Sequence, residues 1–314
     1  MRIFALMKPE YSKYFKEPRL VLAKLLEYAS PMFPDDKKFL RTLYRLKIGE
    51  QLDLEAPRSY TAKIQWIKLY WRNPILNRLI DKYEVKAEVA KLVGSDYVIP
   101  TLGVWDNTAE IDFDSLPDRF VLKCTHDCKS TVICKDKATF DYSGAVASLD
   151  KSLKKKYWLS KREWGYKDIR PRIIAEELIE DPASPEGLTD YKFLCFNGEV
   201  KALLVATGRG GRQLCLDFFD REFNHFPFHN EHHPHSATPI EKPSNYEEMV
   251  RLAETLSKGF PHVRIDLYSI GGKEIFFGEY TFYPASGMGE FKPREWDYTF
   301  GSWFELPEPY LNNL

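Results

Sequence analysis

The residues that most constrain the fold are 263–289, which carry two β-rich segments separated by a Gly-Gly pair. β-Branched and aromatic residues flank that pair, so the sequence predicts two strands joined by a hairpin turn at 269–273. Because side chains alternate between the two faces of a strand, Arg264, Asp266 and Tyr268 are expected on one face of the first strand. The hairpin therefore predicts an antiparallel sheet with a charged face.

On the second strand, alternation predicts that Phe277, Glu279 and Thr281 share a face. Pairing across the turn would then bring Asp266 opposite Glu279. Two neighbouring carboxylates repel each other, so a positive charge should lie between them. Mg²⁺ meets this requirement, because it takes hard oxygen ligands. The alternative is a structural ion pair in which Arg264 neutralises both acids.

A strand–loop–strand unit earlier in the chain carries a lysine. Phe120–Cys124 has the pattern of a short buried strand, 126–130 form a polar loop, and a second strand is predicted over 131–134. Lys123 emerges from the first strand, and such a loop can cover phosphates through backbone N–H groups and a lysine charge. The alternative is a surface hairpin with a snorkelling lysine.

The amino-terminal part of the chain, residues 1–75, is expected to be helical. Apolar residues recur there at helical spacing, and Ser59 or Thr61 is a plausible cap. Further elements are predicted as a helix over 81–92, a strand over 97–100, a hairpin of 190–196 and 200–206 across Asn197-Gly198, a helix over 247–256, and a proline-rich tail packed on the surface over 293–310.

Charge and composition limit the partners of the chain. Its 314 residues carry a formal net charge of -1, so the chain has no overall positive charge that would favour binding to nucleic acid. No apolar run is long enough to insert stably in a bilayer, and the apolar stretch at residues 1–7 is too short for a secretory signal. A basic, aromatic helical face leaves peripheral membrane contact open. The cysteines lack a second paired cluster of zinc-ligand spacing, so a reduced, cytoplasmic location is expected.

One loop concentrates histidines, namely His225, His229, His232, His233 and His235. A metal site is one interpretation. The favoured interpretation is a polar loop near a substrate cleft, because no acid or cysteine completes a regular ligand spacing there.

Six short motifs follow one another within residues 58–303. They read Lys63-Ile-Gln-Trp, Asp81-Lys-Tyr, Phe120-Val-Leu-Lys-Cys-x-His-Asp, Pro171-Arg-Ile-Ile-Ala-Glu, Asp190-Tyr-Lys-Phe-x-Cys-Phe-Asn-Gly and Gly278-Glu-Tyr-Thr-Phe-Tyr-Pro-x-Ser-Gly. This succession resembles the ATP-grasp superfamily, and most closely its teichuronopeptide-biosynthesis (TupA-like) family from bacterial polysaccharide gene clusters.

The resemblance implies an α+β ATP-grasp fold, in which two α+β subdomains hold ATP between them. The implied division is a helical N-terminal region at 1–75, a helix and strand segment at 76–114, a small subdomain at 115–187, and a large subdomain at 188–314. The large subdomain would contain the metal site and the C-terminal tail.

The resemblance also implies residue roles. Residues implied to bind ATP are Lys86, Lys123, Glu176, Glu177, Leu178, Ile179 and Lys192. Of these, Lys86 and Lys123 would hold the phosphates, and residues 176–179 would form the hinge that meets adenine. Lys192 and Arg264 would act catalytically on the γ-phosphate. Residues implied to hold Mg²⁺ are Asp266, Glu279 and Thr281. Thr281 stands where the family often has Asn, and loop 126–130 lacks the usual glycines, which weakens its cover over phosphates.

The implied activity is an ATP-dependent carboxylate–amine ligase working through an acyl phosphate. It would join an amino-acid-like amine to a uronic-acid carboxyl of a surface polysaccharide or its precursor. Residues expected near these substrates are Arg209, Arg212, Ser286 and Gly287, since arginine forks suit carboxylates. The alternatives are a glycosyl- or phosphotransferase of polysaccharide assembly and a non-catalytic nucleotide-binding protein.

Overall fold

The computed structural model describes residues 17–184, 187–208, 213–228 and 233–310. Its α-helices are α1 (Pro18–Tyr28), α2 (Asp36–Ile48), α3 (Tyr60–Tyr70), α4 (Ile75–Ile80), α5 (Glu84–Val93), α6 (Tyr142–Leu153), α7 (Tyr246–Ser257) and α8 (Glu295–Trp303). None of the helices in these ranges is long and apolar enough to cross a lipid bilayer.

The strands form two antiparallel sheets. They are β1 (Thr101–Trp105), β2 (Phe120–Cys124), β3 (Val132–Cys134), β4 (Ile173–Glu177), β5 (Asp190–Phe196), β6 (Glu199–Thr207), β7 (Cys215–Phe219), β8 (His262–Ile270) and β9 (Glu274–Thr281). The small sheet has the order β1-β4-β2-β3, and the large sheet has the order β7-β6-β5-β8-β9. Helices beside antiparallel sheets confirm the predicted α+β class.

The predicted hairpin of β8 and β9 forms, and Asp266 pairs with Glu279 as expected. The register shifts just beyond this pair, because Leu267 is opposite Phe277 and Gly278 is the extra residue on β9. A bulge reverses the facing of the residues on either side of it. The prediction that Phe277 shares a face with Glu279 is therefore wrong, and Phe277 is buried in the core instead.

Two boundaries near residue 90 also differ from prediction. The helix predicted over 81–92 begins at Glu84, because the Asp81 carboxylate accepts hydrogen bonds from the backbone N–H groups of Tyr83 and Glu84. The strand predicted over 97–100 is absent from the described residues there, and β1 begins at Thr101, where it pairs with β4. The delayed helix start follows because a short polar side chain such as Asp81 competes for the local backbone N–H groups.

The segment 293–310 was predicted to be a tail on the surface, and this is wrong. It contains α8, whose Phe300 is fully buried in the main core. Asp297 accepts hydrogen bonds from the backbone N–H of Thr61 at 2.9 Å and from its hydroxyl at 2.6 Å. The proline-rich composition concealed an aromatic helix that packs against α3, which Ser59 caps as predicted.

Tyr60 and His262 form a buried link between α3 and the large sheet. His262 Nδ1 lies 2.8 Å from the carbonyl oxygen of Cys195, and its Nε2 lies 2.9 Å from the Tyr60 hydroxyl. A carbonyl can only accept a hydrogen bond, so Nδ1 carries the proton and Nε2 accepts from the tyrosine. Burial lowers the pKa of His262 to about 3, and the ring is therefore neutral.

We expect this histidine to make the fold sensitive to acid. Between pH 6.5 and about 3 the unfolded chain binds a proton that the folded chain excludes, so stability falls as the pH falls. The slope should approach about 1.4 kcal/mol per pH unit below pH 6.5. Urea unfolding of the wild type and His262→Asn at pH 7.5, 6 and 5 measures it, with a smaller loss expected for the variant.

Tyr60→Phe is the matched control, because it removes the hydrogen bond and keeps the buried imidazole. It should lower stability at every pH and keep the acid slope of the wild type. Equal slopes for the wild type and His262→Asn would contradict the assignment of acid sensitivity to this residue.

Candidate functional site

A cavity of about 710 Å³ lies between the two sheets. Lys123 of the small sheet lines it on one side, and all five strands of the large sheet line it on the other, with residues from 284–291 closing one end. Its volume falls within the range of about 300–1,000 Å³ that small-molecule sites occupy. The cavity is therefore the candidate functional site.

Charged side chains from both sheets converge on this cavity. The basic residues that line it are Lys82, Lys123, Lys129, Lys192 and Arg264, and the acidic ones are Asp190, Asp266, Glu279 and Glu290. The five cations outnumber the four acids by one, and the lysines among them can contact an anionic ligand. Of the sequence-predicted residues, the structure brings Lys123, Lys192, Arg264, Asp266, Glu279 and Gly287 to this one cavity.

Arg264 lies at the centre of the charge cluster on the large sheet. Its Nε lies 2.6 Å from Asp266 Oδ1, and a terminal nitrogen lies 2.8 Å from Asp266 Oδ2 and 3.1 Å from Glu279 Oε1. Lys192 donates to Asp266 Oδ2 at 2.5 Å, and the Thr281 hydroxyl donates to Glu279 Oε1 at 2.9 Å. These contacts are the ion pair that the sequence left as the alternative to a metal.

The pKa shifts in the cluster follow from burial and charge together. Burial opposes ionisation of Asp266, but the Arg264 guanidinium and the Lys192 ammonium hold its pKa below the usual range. Burial also opposes the charge on Arg264, and the two acids overcome this and raise its pKa. Asp266 is therefore an anion and Arg264 a cation at neutral pH.

The donor atoms of this cluster suit a hard cation. Asp266 and Glu279 offer carboxylate oxygens and Thr281 a hydroxyl, and Mg²⁺ prefers oxygen ligands of this kind. The side chain of Glu279 is 39% exposed, whereas that of Asp266 is 2% exposed and engaged by two cations. Glu279 is thus the more accessible of the two acids.

Behind Lys123 lies a second charge cluster in the small sheet. Lys86 Nζ lies 2.7 Å from Glu176 Oε1, and Lys123 contacts the other oxygen of the same carboxylate. Lys86 also donates to the carbonyl oxygen of Ile99 at 2.5 Å. Burial opposes the charge on Glu176, but the two lysines hold its pKa below the usual range. Lys86 is not among the described residues that line the cavity, and it is linked to Lys123, which does line it, through the shared carboxylate of Glu176.

The residues predicted as the adenine hinge, 176–179, begin with Glu176 of this cluster and continue beyond it along the chain. Glu177 ends β4 and is exposed, while Leu178 and Ile179 are half-buried in the connection to the large sheet. Residues 176–179 are not among the described residues that line the cavity. The first two of them end β4, where Glu176 pairs with Val121 and Glu177 pairs with Phe120 of β2.

A left-handed turn closes one end of the cavity. Ala285, Ser286 and Gly287 have φ angles of 48°, 57° and 60°. The Ser286 carbonyl oxygen accepts from Lys68 Nζ at 2.7 Å and from Gln65 Nε2 at 3.0 Å, so α3 holds the turn in this conformation. Burial lowers the pKa of Lys68 to about 7. Gly287 lines the cavity, but the two predicted arginines, Arg209 and Arg212, lie outside the described residues.

The sequence analysis missed Lys82 and Asp190 as cavity residues. Lys82 lies within the motif Asp81-Lys-Tyr and contacts the carbonyl oxygen of Asp127 in loop 126–130. Asp190 lies 3.5 Å from Lys192 Nζ. Both belong to motifs that carry the family resemblance, and membership in those motifs is the sequence signal for them. Loop 126–130 itself turns at Lys129, which has a φ of 71° without being glycine.

Comparison with known proteins gives a family match. The family model described as TupA-like ATPgrasp matches residues 62–305. No curated protein matches the chain.

Among solved structures, an L-amino acid ligase from Bacillus licheniformis is 11% identical, with 88% of this chain and 57% of that chain covered and a TM-score of 0.41. A D-alanine–D-alanine ligase from Bacillus anthracis, in complex with ATP, is 12% identical, with 70% and 58% covered and a TM-score of 0.37. The chain thus spans less than two thirds of the length of these proteins.

The charge cluster predicts that its two acids contribute unequally to the stability of the fold. Asp266→Asn should lower the free energy of unfolding by about 3–5 kcal/mol, because Arg264 and Lys192 lose a buried counter-charge. Glu279→Gln should change it by less than about 1 kcal/mol, because this side chain is partly exposed. Urea unfolding in the presence of EDTA measures both variants.

Glu279→Gln is the matched control for removing one carboxylate charge from the same cluster. If Asp266→Asn were as stable as the wild type, repulsion between the two acids would outweigh the ion pairs. The ion-pair interpretation of the cluster would then be wrong.

Proposed function

The chain belongs to the TupA-like ATP-grasp family, and from this we propose that it is an ATP-dependent carboxylate–amine ligase. The observation that carries the proposal is the cavity between the sheets, where cations from both sheets meet the acids Asp266 and Glu279. A nucleotide triphosphate is a polyanion that such a site would bind, and its reaction requires charge neutralisation more than covalent help.

The proposed reaction has two steps. A carboxylate oxygen attacks the γ-phosphorus of ATP, so that the bond to the β-phosphate oxygen breaks and an acyl phosphate and ADP form. An amine nitrogen then attacks the carbonyl carbon, phosphate leaves with the bonding electrons, and the nitrogen loses a proton to give an amide. Both steps depend on holding the reactants close and aligned.

We assign the phosphates to lysines and an arginine of both sheets. Lys123 approaches from the small sheet, while Lys192 and Arg264 approach from the large sheet and act on the transferring phosphoryl group. Asp266 and Glu279, with the hydroxyl of Thr281, would hold the Mg²⁺ that accompanies ATP. The ion would neutralise charge that develops on the phosphates.

The adenine end of ATP is assigned to the small sheet. Residues 176–179 would meet the base as a hinge, partly through backbone groups. Lys86 would act through Glu176, because its ammonium is held by that carboxylate, whereas Lys123 contacts the same carboxylate and also lines the cavity.

For the acceptor we propose a uronic-acid carboxyl of a bacterial surface polysaccharide or its precursor, with an amino-acid-like amine. Phe218, Tyr268 and Phe291 are half-buried cavity residues, and their apolar surfaces suit a sugar ring. Ser286 and Gly287 would border this substrate at the closed end of the cavity. The proposed roles of Arg209 and Arg212 in gripping the acid rest on the sequence alone.

Two other functions make different demands. A glycosyl- or phosphotransferase of polysaccharide assembly would consume a nucleotide sugar, and a non-catalytic nucleotide-binding protein would bind ATP without turnover. Membership of an ATP-grasp family favours the ligase over both.

We expect Lys123→Met to weaken ATP binding by roughly 10- to 150-fold, which corresponds to losing a charge-assisted contact of about 1.5–3 kcal/mol. The fold should persist, because Lys86 still pairs with Glu176. Isothermal titration with Mg²⁺-ATP measures the affinity, and thermal unfolding checks the fold. Lys135→Met is the matched control, since this lysine follows β3 in the same sheet and its side chain is 70% exposed. Equal affinities of both variants would remove Lys123 from the site.

We expect ADP release to require both an acid and an amine. Purified protein is incubated with Mg²⁺-ATP, free or nucleotide-linked uronic acids and a panel of amino acids, and ADP and amide products are measured. Hydroxylamine replaces the amine in a parallel reaction, because it traps an acyl phosphate as a hydroxamate whatever the natural amine is.

Glu279→Gln should release ADP at least about 100-fold more slowly, since phosphate charge is less well neutralised.

The alternatives predict other products in the same assays. Consumption of a nucleotide sugar without ATP would identify a transferase. ATP binding with neither ADP nor hydroxamate would favour a non-catalytic protein. Near-normal turnover by Glu279→Gln would contradict the proposed metal site even if the ligase activity is found.

A further inference from the structure

A second polar cluster lies at the edge of the large sheet, outside the cavity described above. Asp217 of β7 is buried, with 3% of its surface exposed. His225 Nε2 lies 3.0 Å from Asp217 Oδ1, and His235 Nδ1 lies 2.9 Å from the same oxygen. The three possible ligand atoms lie within 4.8 Å of one another. Two imidazole rings and one carboxylate therefore converge on a single point.

The strand β7 supplies the acid that the histidine loop itself lacks. Sequence spacing favoured a polar loop because no acid or cysteine stands at a regular interval among these histidines. Asp217 precedes the loop on a strand that the sequence analysis did not predict. The reason for setting a metal site aside does not hold once this strand is in place.

The surroundings of Asp217 fit a bound cation. Its second oxygen, Oδ2, accepts from the backbone N–H of Ser236 at 3.0 Å, which fixes the orientation of the carboxylate. Within the described part of the chain, its ion-pair contacts are with His225 and His235, and no lysine or arginine pairs with it. A buried carboxylate requires a counter-charge, and the open space of about 440 Å³ beside the two rings gives an ion access to it.

We propose that Asp217, His225 and His235 form a binding site for a divalent transition-metal ion, with Zn²⁺ as the best match. Zn²⁺ takes imidazole nitrogen at about 2.0–2.1 Å and carboxylate oxygen at about 2.0–2.2 Å, commonly with water in a fourth position. Mg²⁺ prefers oxygen ligands and octahedral geometry, so two imidazoles select against it. The site is therefore chemically distinct from the cluster of Asp266 and Glu279.

The position of the site gives the ion a structural role. Asp217 lies between Leu216 and Phe218, which line the main cavity. His225 pairs with Phe219 in a β-bridge, so the ion would tie the turn after β7 and the returning segment to the edge strand. Edge strands lack a partner on one side and are easily displaced. Metal binding would hold this wall of the cavity in place, whatever reaction the cavity carries out.

The test uses the full chain without an affinity tag, after treatment with EDTA and removal of the chelator. Zn²⁺ is titrated in competition with a chromogenic chelator, with Mg²⁺ in excess so that oxygen-rich sites are filled. We expect one Zn²⁺ per chain and a rise in the melting temperature on binding, because a ligand of the native state stabilises it. Co²⁺ should bind in its place and give the strong visible absorption of a four-coordinate ion.

His225→Ala and His235→Ala should each weaken Zn²⁺ binding at least about tenfold and abolish the Co²⁺ spectrum. Their side chains are 42% and 38% exposed, so both variants should fold, as melting in EDTA checks. His233→Ala is the matched control, because this histidine belongs to the same segment but lines the main cavity instead. It should bind Zn²⁺ as the wild type does.

The proposal is overturned if the wild type binds no stoichiometric Zn²⁺, or if His225→Ala and His235→Ala bind it like the wild type. It is also overturned if His233→Ala loses binding as strongly as they do, since the ion would then be held elsewhere in the histidine segment. These outcomes are independent of ATP turnover and leave the proposed ligase function untouched.

Discussion

The ion pair between Arg264 and Asp266 is the interaction on which the large sheet and its cavity both depend. Two residues apart on β8, their side chains share the face that Lys192 and Glu279 also occupy. Removing these charges from water costs free energy, which only close pairing recovers. A face with this many charges cannot pack against an apolar layer, whereas the opposite face of the sheet is core. The cavity lies on the charged face of the sheet.

The helix α3 connects this sheet to the rest of the fold. Tyr60 reaches His262 of β8, Thr61 binds Asp297 of α8, and Gln65 and Lys68 hold the turn that closes the cavity. Each contact is a buried polar bond, so each constrains orientation more strictly than apolar packing does. Gln65 of the motif Lys63-Ile-Gln-Trp is thus a structural support of the site. The helix places the closed end of the cavity at a fixed distance from the charged strands.

The sequence predicted the elements whose signals are local. Alternation and the Gly-Gly turn gave the hairpin of β8 and β9, and Asn197-Gly198 gave the hairpin of β5 and β6. Alternation failed at Phe277, because a bulge is a property of the strand pair and leaves no periodic signal in one strand. The prediction from composition failed over 293–310, where proline content suggested a tail, although aromatic side chains bury α8 in the core.

For the site, the sequence by itself determined which chemical groups are available and that their order along the chain is that of an ATP-grasp family. It also indicated that Asp266 and Glu279 lie on paired strands, but the turn alone would pair Asp266 with Gly278, and the bulge at Gly278 brings Glu279 opposite Asp266. Only the tertiary structure decided that Arg264 lies between them, that Lys86 is linked to Lys123 through Glu176, and that Asp217 completes a cluster with two histidines. These contacts join separate strands, loops and helices, and their geometry follows from how sheets and helices pack. No local pattern of residues encodes that packing.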